Sequence, residues 1–160
     1  MMTKSSLQTS SVGENTAKRL ARLAAVQGLY QIALTQNTAE KIIADFQDHP
    51  GALLHEKGEN EAPLLVDLQL FGSIVIGVSQ NFTSLDEMIA GATDAKVSPE
   101  RLETLLRAIL RAGTYELHVH SHIPANVIIN DYVDVTHAFF GAKEPGLVNA
   151  VLDKLAKGLR

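Results

Sequence analysis

The sequence predicts an all-α protein of about seven helices, and three features carry that prediction. Prolines and glycines divide the 160 residues into blocks in which Leu, Ile, Val and Ala recur at helical spacing. Aromatic residues make up only 5% of the chain and Trp is absent, so aliphatic side chains must build the core. The hydrophobic fraction of 46% suits a soluble domain, and this composition favours packed helices over a β-sandwich.

The first third of the chain predicts a polar arm, two helices and a loop. Residues 1–15 contain no apolar run, which predicts a mobile arm. The first helix then extends from Thr16, as its cap, to Thr35, and a short helix follows with Thr38 as its cap. Residues 49–63 are rich in Gly, Pro and charge, which predicts a loop or insertion.

The apolar block from about residue 64 to residue 92 predicts two helices that meet near Asn81. Its segment FGSIVIGV resembles a strand, but the surrounding Leu and Ile residues keep the 3.6-residue period of a helix. We interpret Gly72 and Gly77 as sites where another helix approaches closely.

Three prolines open the helices of the carboxy-terminal part. Ser98-Pro99 supplies a cap and a first-turn proline for a helix that ends near His118, and Pro124 and Pro145 open the last two helices. Together these elements form one domain over residues 16–160, with an amino-terminal subdomain of about 16–95 and a carboxy-terminal subdomain of about 96–160.

Composition excludes several classes of protein. The net charge is −4, so any RNA or DNA site must be a local basic patch. The absence of Cys excludes disulfides and cysteine-ligated zinc, and the sequence predicts neither a signal peptide nor a membrane-spanning segment. No HExxH, GxSxG or phosphate-binding glycine loop occurs. We therefore expect a cytoplasmic protein without cofactor, metal, enzymatic activity or membrane partner.

A basic wedge, formed by Lys18, Arg19 and Arg22, lies on the first predicted helix. The three side chains span about a quarter of its circumference, opposite Leu20 and Leu23. Clustered cations on a rigid helix suit contact with phosphates. The alternative is a solvated face that only keeps the helix soluble.

Two groups of side chains resemble chemical sites but are interpreted otherwise. The segment HVHSH, residues 118–122, places alternate histidines on one side of an extended chain, as in a metal site. It lies at a helix end and lacks a neighbouring carboxylate, which argues against a metal. Asp131, Asp134 and His137 recur at spacings of three, and we interpret them as an exposed polar stripe.

Four segments resemble the NusB family of bacterial transcription antitermination factors. They are RLARLAAVQGLYQ near the amino terminus and LRAGTYEL, INDYVDVTHAFF and GLVNAVLDKLA further on, in the family's order and spacing. AVQGLYQ and VNAVLDKLA are the most specific, whereas residues 45–93 match only in helical character. The resemblance implies two three-helix bundles packed together, plus an extra helix.

The resemblance also implies binding to the boxA element of ribosomal RNA transcripts. The family's arginine-rich motif falls on Lys18, Arg19 and Arg22; Gln27 lies on the same helix, and Glu144 falls near an acidic family position at the RNA site. The motif here is thin, so the expected RNA-binding species is a heterodimer with NusE, a small-subunit ribosomal protein. This heterodimer would act within an RNA polymerase antitermination complex.

For contact with NusE, the resemblance implies Tyr30, Glu100 and Arg111. Tyr and Arg are frequent anchors of protein interfaces. A monomer and a homodimer both remain open. Two alternative functions also remain open: a helical interaction or dimerisation scaffold with weak or lost RNA binding, and the RNA-binding module of a larger RNA methyltransferase.

Overall fold

The computed structural model describes residues 4–49, 65–93 and 102–160, and these ranges contain helices and no strand. The seven helices in them are α1 (Lys4–Thr35), α2 (Ala39–Asp48), α3 (Leu68–Gln80), α4 (Phe82–Ala92), α5 (Thr104–Val119), α6 (Ala125–Phe139) and α7 (Lys143–Leu159). The prediction of an all-α protein is confirmed. Across these described ranges, no helix is both long and apolar enough to cross a membrane.

The helices form two three-helix bundles. Helices α1, α2 and α3 pack on one another, and so do α5, α6 and α7. The bundles are joined where α1 packs on α5 and α6 and where α3 packs on α5. Helix α4 packs on α5 and α7 and also contacts α3, so it is the extra helix that the resemblance implied. The predicted subdomain boundary near residue 95 would assign α4 to the first bundle, whereas these contacts associate it with the second.

Local hydrogen bonds explain where several helices begin and end. The side chain of Thr38 accepts the backbone N–H of Lys41 at 3.1 Å, so the predicted cap of α2 is confirmed. Asp67 caps α3 in the same way. At Asn81 the side-chain amide donates to the carbonyl of Gly77 at 2.7 Å, and the predicted break between α3 and α4 is confirmed.

Three predicted boundaries differ from the structure. Helix α1 begins at Lys4 rather than Thr16; the polar residues before Thr16 have no apolar period that would have indicated a helix. The mobility of the predicted arm stays a prediction. Helix α5 begins at Thr104 rather than at the predicted Pro99, and Leu102 and Glu103, which directly precede it, are not helical. Helix α7 begins at Lys143, with Pro145 inside its first turn, where no backbone N–H is required. The predicted cap Ser98 and most of the predicted loop, residues 50–63, lie outside the described residues.

The two glycines of α3 have different surroundings. A Cβ at Gly77 would overlap the ring of Tyr115, so this position brings α3 close to α5, as predicted. A Cβ at Gly72 would meet no atom within 4 Å, so the prediction of a close approach there is wrong. Gly77 is buried and Gly72 is half-buried. The core beside them runs through the two bundles and includes Phe46 and Phe71, whose tilted rings have centroids 4.3 Å apart.

Candidate functional site

Arg22 is buried. Its relative exposure is 1%, although it carries a charge and was predicted to lie on a solvated face. The reason is its position on α1: Arg22, Ala25, Val26 and Leu29 follow the spacing of one helical stripe, and all four are buried. The prediction that Arg22 belongs to a basic wedge in water is therefore wrong.

Two carboxylates pair with the buried guanidinium. Arg22 Nε donates to Glu116 Oε2 at 2.7 Å, and Nη2 donates to Glu116 Oε1 at 3.1 Å. Nη1 donates to Asp131 Oδ2 at 2.7 Å. Glu116 lies on α5 and is fully buried, whereas Asp131 lies on α6 at the edge of the core. These bonds link α1 of the first bundle to two helices of the second.

Glu116 is the centre of a larger group of hydrogen bonds. The hydroxyl of Tyr132 donates to Oε2 at 2.6 Å, and His120 Nδ1 lies 3.0 Å from Oε1. Ser73 Oγ lies 3.1 Å from His120 Nε2, which adds α3. We call this group the Arg22 network; its members are Arg22, Glu116, Asp131, Tyr132, His120 and Ser73. It supplies the partners that a buried ion pair needs.

The environment keeps the central pair ionised. Burial raises the pKa of Glu116, but hydrogen bonds from His120 and Arg22 outweigh it and hold that pKa below its ordinary value. Burial likewise disfavours the charge of Arg22, yet the hydrogen bonds and charge of Glu116 raise its pKa above the ordinary value. Burial and the charge of Glu116 raise the pKa of Tyr132. At neutral pH, Arg22 and Glu116 are charged and Tyr132 is neutral.

We expect the Glu116 carboxylate to make the fold sensitive to acid. Its folded-state pKa lies below the ordinary 4.5, so the unfolded chain takes up this proton first as the pH falls. The stabilisation is complete well above that value and is lost as the pH falls through the folded-state pKa. Urea unfolding across this range should give a declining free energy of unfolding, with a shallower decline for Glu116→Gln. Equal slopes for the two proteins would contradict the assignment.

Lys18 and Arg19 remain accessible. The Arg19 side chain is 58% exposed; its Nε lies 3.3 Å from Asp131 Oδ1, and its Nη2 lies 2.5 Å from Asp134 Oδ2. Lys18 is half-buried and makes no ion pair with any residue that the structure describes. Asp131 is buried, so the prediction of an exposed polar stripe is wrong for that residue, whereas Asp134 and His137 are exposed.

A groove of about 500 Å³ lies between α1 and the beginning of α6. We call it the α1–α6 groove. Its polar side chains are Asn15, Lys18, Arg19, His122 and Asn130, its apolar wall is Ile123, Pro124 and Val127, and Arg22 and Asp131 lie at its floor. A second cavity of about 250 Å³, the α1–α3 cavity, shares Lys18, His122 and Ile123 with the groove. The two spaces are therefore neighbours along α1.

Two further predicted RNA residues lie away from these spaces. Gln27 is half-buried on α1, about 13 Å along the helix axis from Lys18 at 1.5 Å per residue. Glu144 is half-buried in the first turn of α7, where its charge complements the helix dipole. Neither residue lines the α1–α6 groove or the α1–α3 cavity. The structure thus brings together Lys18, Arg19 and Arg22 but not Gln27 or Glu144.

The residues predicted for a protein partner are partly described. Arg111 forms a bidentate ion pair with Asp86, with Nε and Nη2 at 2.8 Å and 2.7 Å from its two oxygens. The guanidinium also lies 4.6 Å from the ring centroid of Phe82. Tyr30 is half-buried on α1, and Glu100 lies outside the described residues. Arg111 lies on α5, and its side chain is held rigidly against α4 at a partly exposed position.

The histidine segment does not form the extended run that a metal site would need. His118 lies in the last turn of α5, while His120 ends the helix and belongs to the Arg22 network. The rings of His120 and His122 are 5.9 Å apart. Where the chain is described, no three His, Asp or Glu side chains come together as metal ligands.

Sequence reasoning did not find Glu116, Tyr132 or Asn130. A signal existed for Glu116: with Ile109 and Ala112 it follows one buried stripe of α5. An Arg on one buried stripe and a Glu on another predict a buried pair. No comparable signal identifies Asn130, because its position in the α1–α6 groove depends on how α6 faces α1.

Comparison with known proteins gives one consistent result. The model of the NusB family matches residues 19–157. A protein named "Transcription antitermination protein NusB" from Allorhizobium ampelinum is 42% identical over 140 residues, which are 88% of this chain and 86% of that protein. A protein of the same name from Sinorhizobium fredii is 43% identical over the same shares of the two chains.

Solved structures share the fold. T. maritima NusB has a TM-score of 0.67 at 24% identity, over 87% of this chain and 89% of that one. A chain from a crystal structure of the antitermination factors NusB and NusE in complex with double-stranded RNA has a TM-score of 0.68 at 21% identity. That match covers 88% of this chain and 96% of the other.

Proposed function

The chain belongs to the NusB family, and on that premise we propose that it acts in transcription antitermination by binding boxA RNA of ribosomal RNA transcripts together with NusE. It is not an enzyme: the relatives are named for antitermination. We infer that it works in the cytoplasm as part of an RNA polymerase antitermination complex. The observation that carries the proposal is the accessible pair Lys18 and Arg19 beside the α1–α6 groove.

The proposed RNA contact rests on two cations rather than three. Arg22 is excluded because its guanidinium is buried and hydrogen-bonded to Glu116 and Asp131. Arg19 is different, since its pairing with Asp134 is exposed and exposed ion pairs contribute at most about 1 kcal/mol. A phosphate can replace that carboxylate at little cost. Lys18 has no ion pair with a described residue that it would have to give up when it binds a phosphate.

The proposed protein contact retains Tyr30 and Arg111. Because Asp86 and Phe82 already fix Arg111, binding there would immobilise little further side-chain freedom. A heterodimer also fits the charge of this chain, which is −4 overall and has a thin basic motif. NusE would supply the remaining cationic surface. The crystal structure of NusB and NusE in complex with double-stranded RNA, which contains a chain of the same fold, supports this partnership.

A scaffold without RNA binding is the second candidate. It is favoured by the ion pairs of Arg19 and Arg22 with Asp131 and Asp134, Asp131 bridging both, which neutralise much of the positive charge on α1. A fluorescence anisotropy titration separates the two candidates, with boxA RNA and a scrambled RNA, at two salt concentrations, with and without NusE. Selective binding that NusE strengthens supports antitermination; equal weak binding to both RNAs would leave the scaffold.

The double variant Lys18→Ala/Arg19→Ala should weaken RNA binding and make it less sensitive to salt. Each lost contact with a phosphate of a single strand lowers the slope of log K against log salt by about 0.7, so two contacts give about 1.4. The matched control is Lys154→Ala/Lys157→Ala on α7, which removes two exposed cations that do not line the groove. An unchanged slope in the first variant, or an equal loss in the control, would contradict the placement of RNA on α1.

A further inference from the structure

We propose that the α1–α6 groove is a binding site for one unstacked RNA base, read by the Asn130 amide, with an adjoining phosphate held at the groove's edge by Lys18 and His122. This inference rests on the proposed function and assigns a particular part of the RNA to a particular part of the surface. Proteins that recognise single-stranded RNA separate bases from the stack and hydrogen-bond their edges.

The size and walls of the groove suit a base. Its volume of about 500 Å³ lies within the range of small-molecule sites. Ile123, Pro124 and Val127 supply the apolar side chains of the groove, and Val127 is 42% exposed. A base placed against these side chains would remove apolar surface from water on both partners.

The charges of the groove decide which part of a nucleotide enters. The floor contains the carboxylate of Asp131, which is already paired with Arg22 and Arg19. A phosphate at the floor would be repelled by the negative charge of that carboxylate, whereas a neutral base carries no charge to be repelled. Lys18 also lines the groove and makes no ion pair with a described residue, so its positive charge is available to a phosphate. The base therefore enters, and the phosphate stays outside.

Asn130 is the side chain suited to reading the base. It is exposed, lines the groove and carries an amide that donates and accepts together. Such an amide forms two hydrogen bonds with a base edge that offers a neighbouring acceptor and donor. Asn126, one turn earlier on α6, is also exposed but does not line the groove. It provides a control of identical chemistry.

Lys18 and His122 lie where the phosphate should be. Both line the α1–α6 groove and the neighbouring α1–α3 cavity, so they form part of the wall between the two spaces. We expect the backbone of an RNA strand with one base in the groove to pass these two residues if it continues along α1. His122 and His118 are both exposed, but His118 lines neither space.

The test combines an abasic scan of boxA RNA with the two asparagine variants, in the presence of NusE. For the wild type, one abasic position should lower affinity about 10-fold, the size expected from a lost stacking and hydrogen-bonding base. Asn130→Ala should lose about 5-fold on intact RNA and only about 2-fold more at that abasic position, because contact with the apolar wall is all that remains to be lost. Asn126→Ala should retain wild-type affinity and the full abasic effect.

The phosphate contact has its own readout. His122→Ala should lower affinity equally for intact and abasic RNA, while His118→Ala should leave both unchanged. Wild-type affinity of Asn130→Ala for intact RNA, or equal behaviour of Asn130→Ala and Asn126→Ala, would overturn the base site while leaving the proposed function intact. Absence of selective RNA binding by the wild type with NusE would instead overturn both.

Discussion

Replacing Arg22 with alanine should lower the free energy of unfolding by about 3–5 kcal/mol, the cost of removing one partner from a buried ion pair. Glu116 would keep a buried charge without its main counter-ion, and Asp131 would lose one of its two arginines. Because the network joins both bundles, the loss affects the whole domain. Urea unfolding followed by circular dichroism measures the change.

Arg19→Ala is the matched control for this experiment. It removes the same chemical group from the same helix, but the Arg19 side chain is 58% exposed, so the expected loss is within about 1 kcal/mol. Equal losses for the two variants would mean that burial does not distinguish the two arginines. A loss below about 1 kcal/mol for Arg22→Ala would contradict a structural role for that residue.

Most helices could be predicted from sequence because their signals are local. The cap at Thr38 depends on a backbone N–H three residues away, and the break at Asn81 on a carbonyl four residues away. The beginning of α1 could not be predicted in this way, since its first residues lack an apolar period. The arrangement in two bundles came from the family resemblance, because periodicity alone does not identify which helices pack together.

The candidate site was predicted less completely because charge was equated with exposure. Lys18 and Arg19 are accessible as expected, but Arg22 follows the buried stripe of α1. Its partner Glu116 is 94 residues away along the chain, so the pairing exists only in the folded protein. Local spacing places Arg22 and Glu116 each on a buried stripe, so it shows that each needs a partner, but it does not show that the two pair with each other.

The Arg22 network gives the proposed RNA-binding surface a fixed support. Asp131 accepts from Arg22 inside the protein and pairs with Arg19 at the surface, so one carboxylate connects the two arginines. Asp131 also lies at the floor of the α1–α6 groove. Arg22 can therefore influence RNA binding through position alone, without touching RNA. A loss of RNA binding in Arg22→Ala would not by itself distinguish contact from support.

The double variant Arg22→Met/Glu116→Gln separates support from contact. It removes both central charges together, and Gln can still accept from Tyr132 and hydrogen-bond with His120. Replacing a buried ion pair with neutral groups of similar size is often nearly neutral, so the double variant should recover at least half of the stability that Arg22→Ala loses. Urea unfolding of Arg22→Met, of Glu116→Gln and of the double variant gives the coupling energy between the two residues.

The RNA affinity of the same double variant distinguishes support by Arg22 from contact between Arg22 and a phosphate. If Arg22 only supports the surface, the folded double variant should bind boxA RNA, in the presence of NusE, within about two-fold of wild type. The slope of log K against log salt should be unchanged, because no phosphate contact is lost. If Arg22 contacts phosphate, the slope should fall by about 0.7 even though the fold is recovered. A stable double variant with the lower slope would therefore return Arg22 to the RNA-binding surface, despite its burial in the free protein.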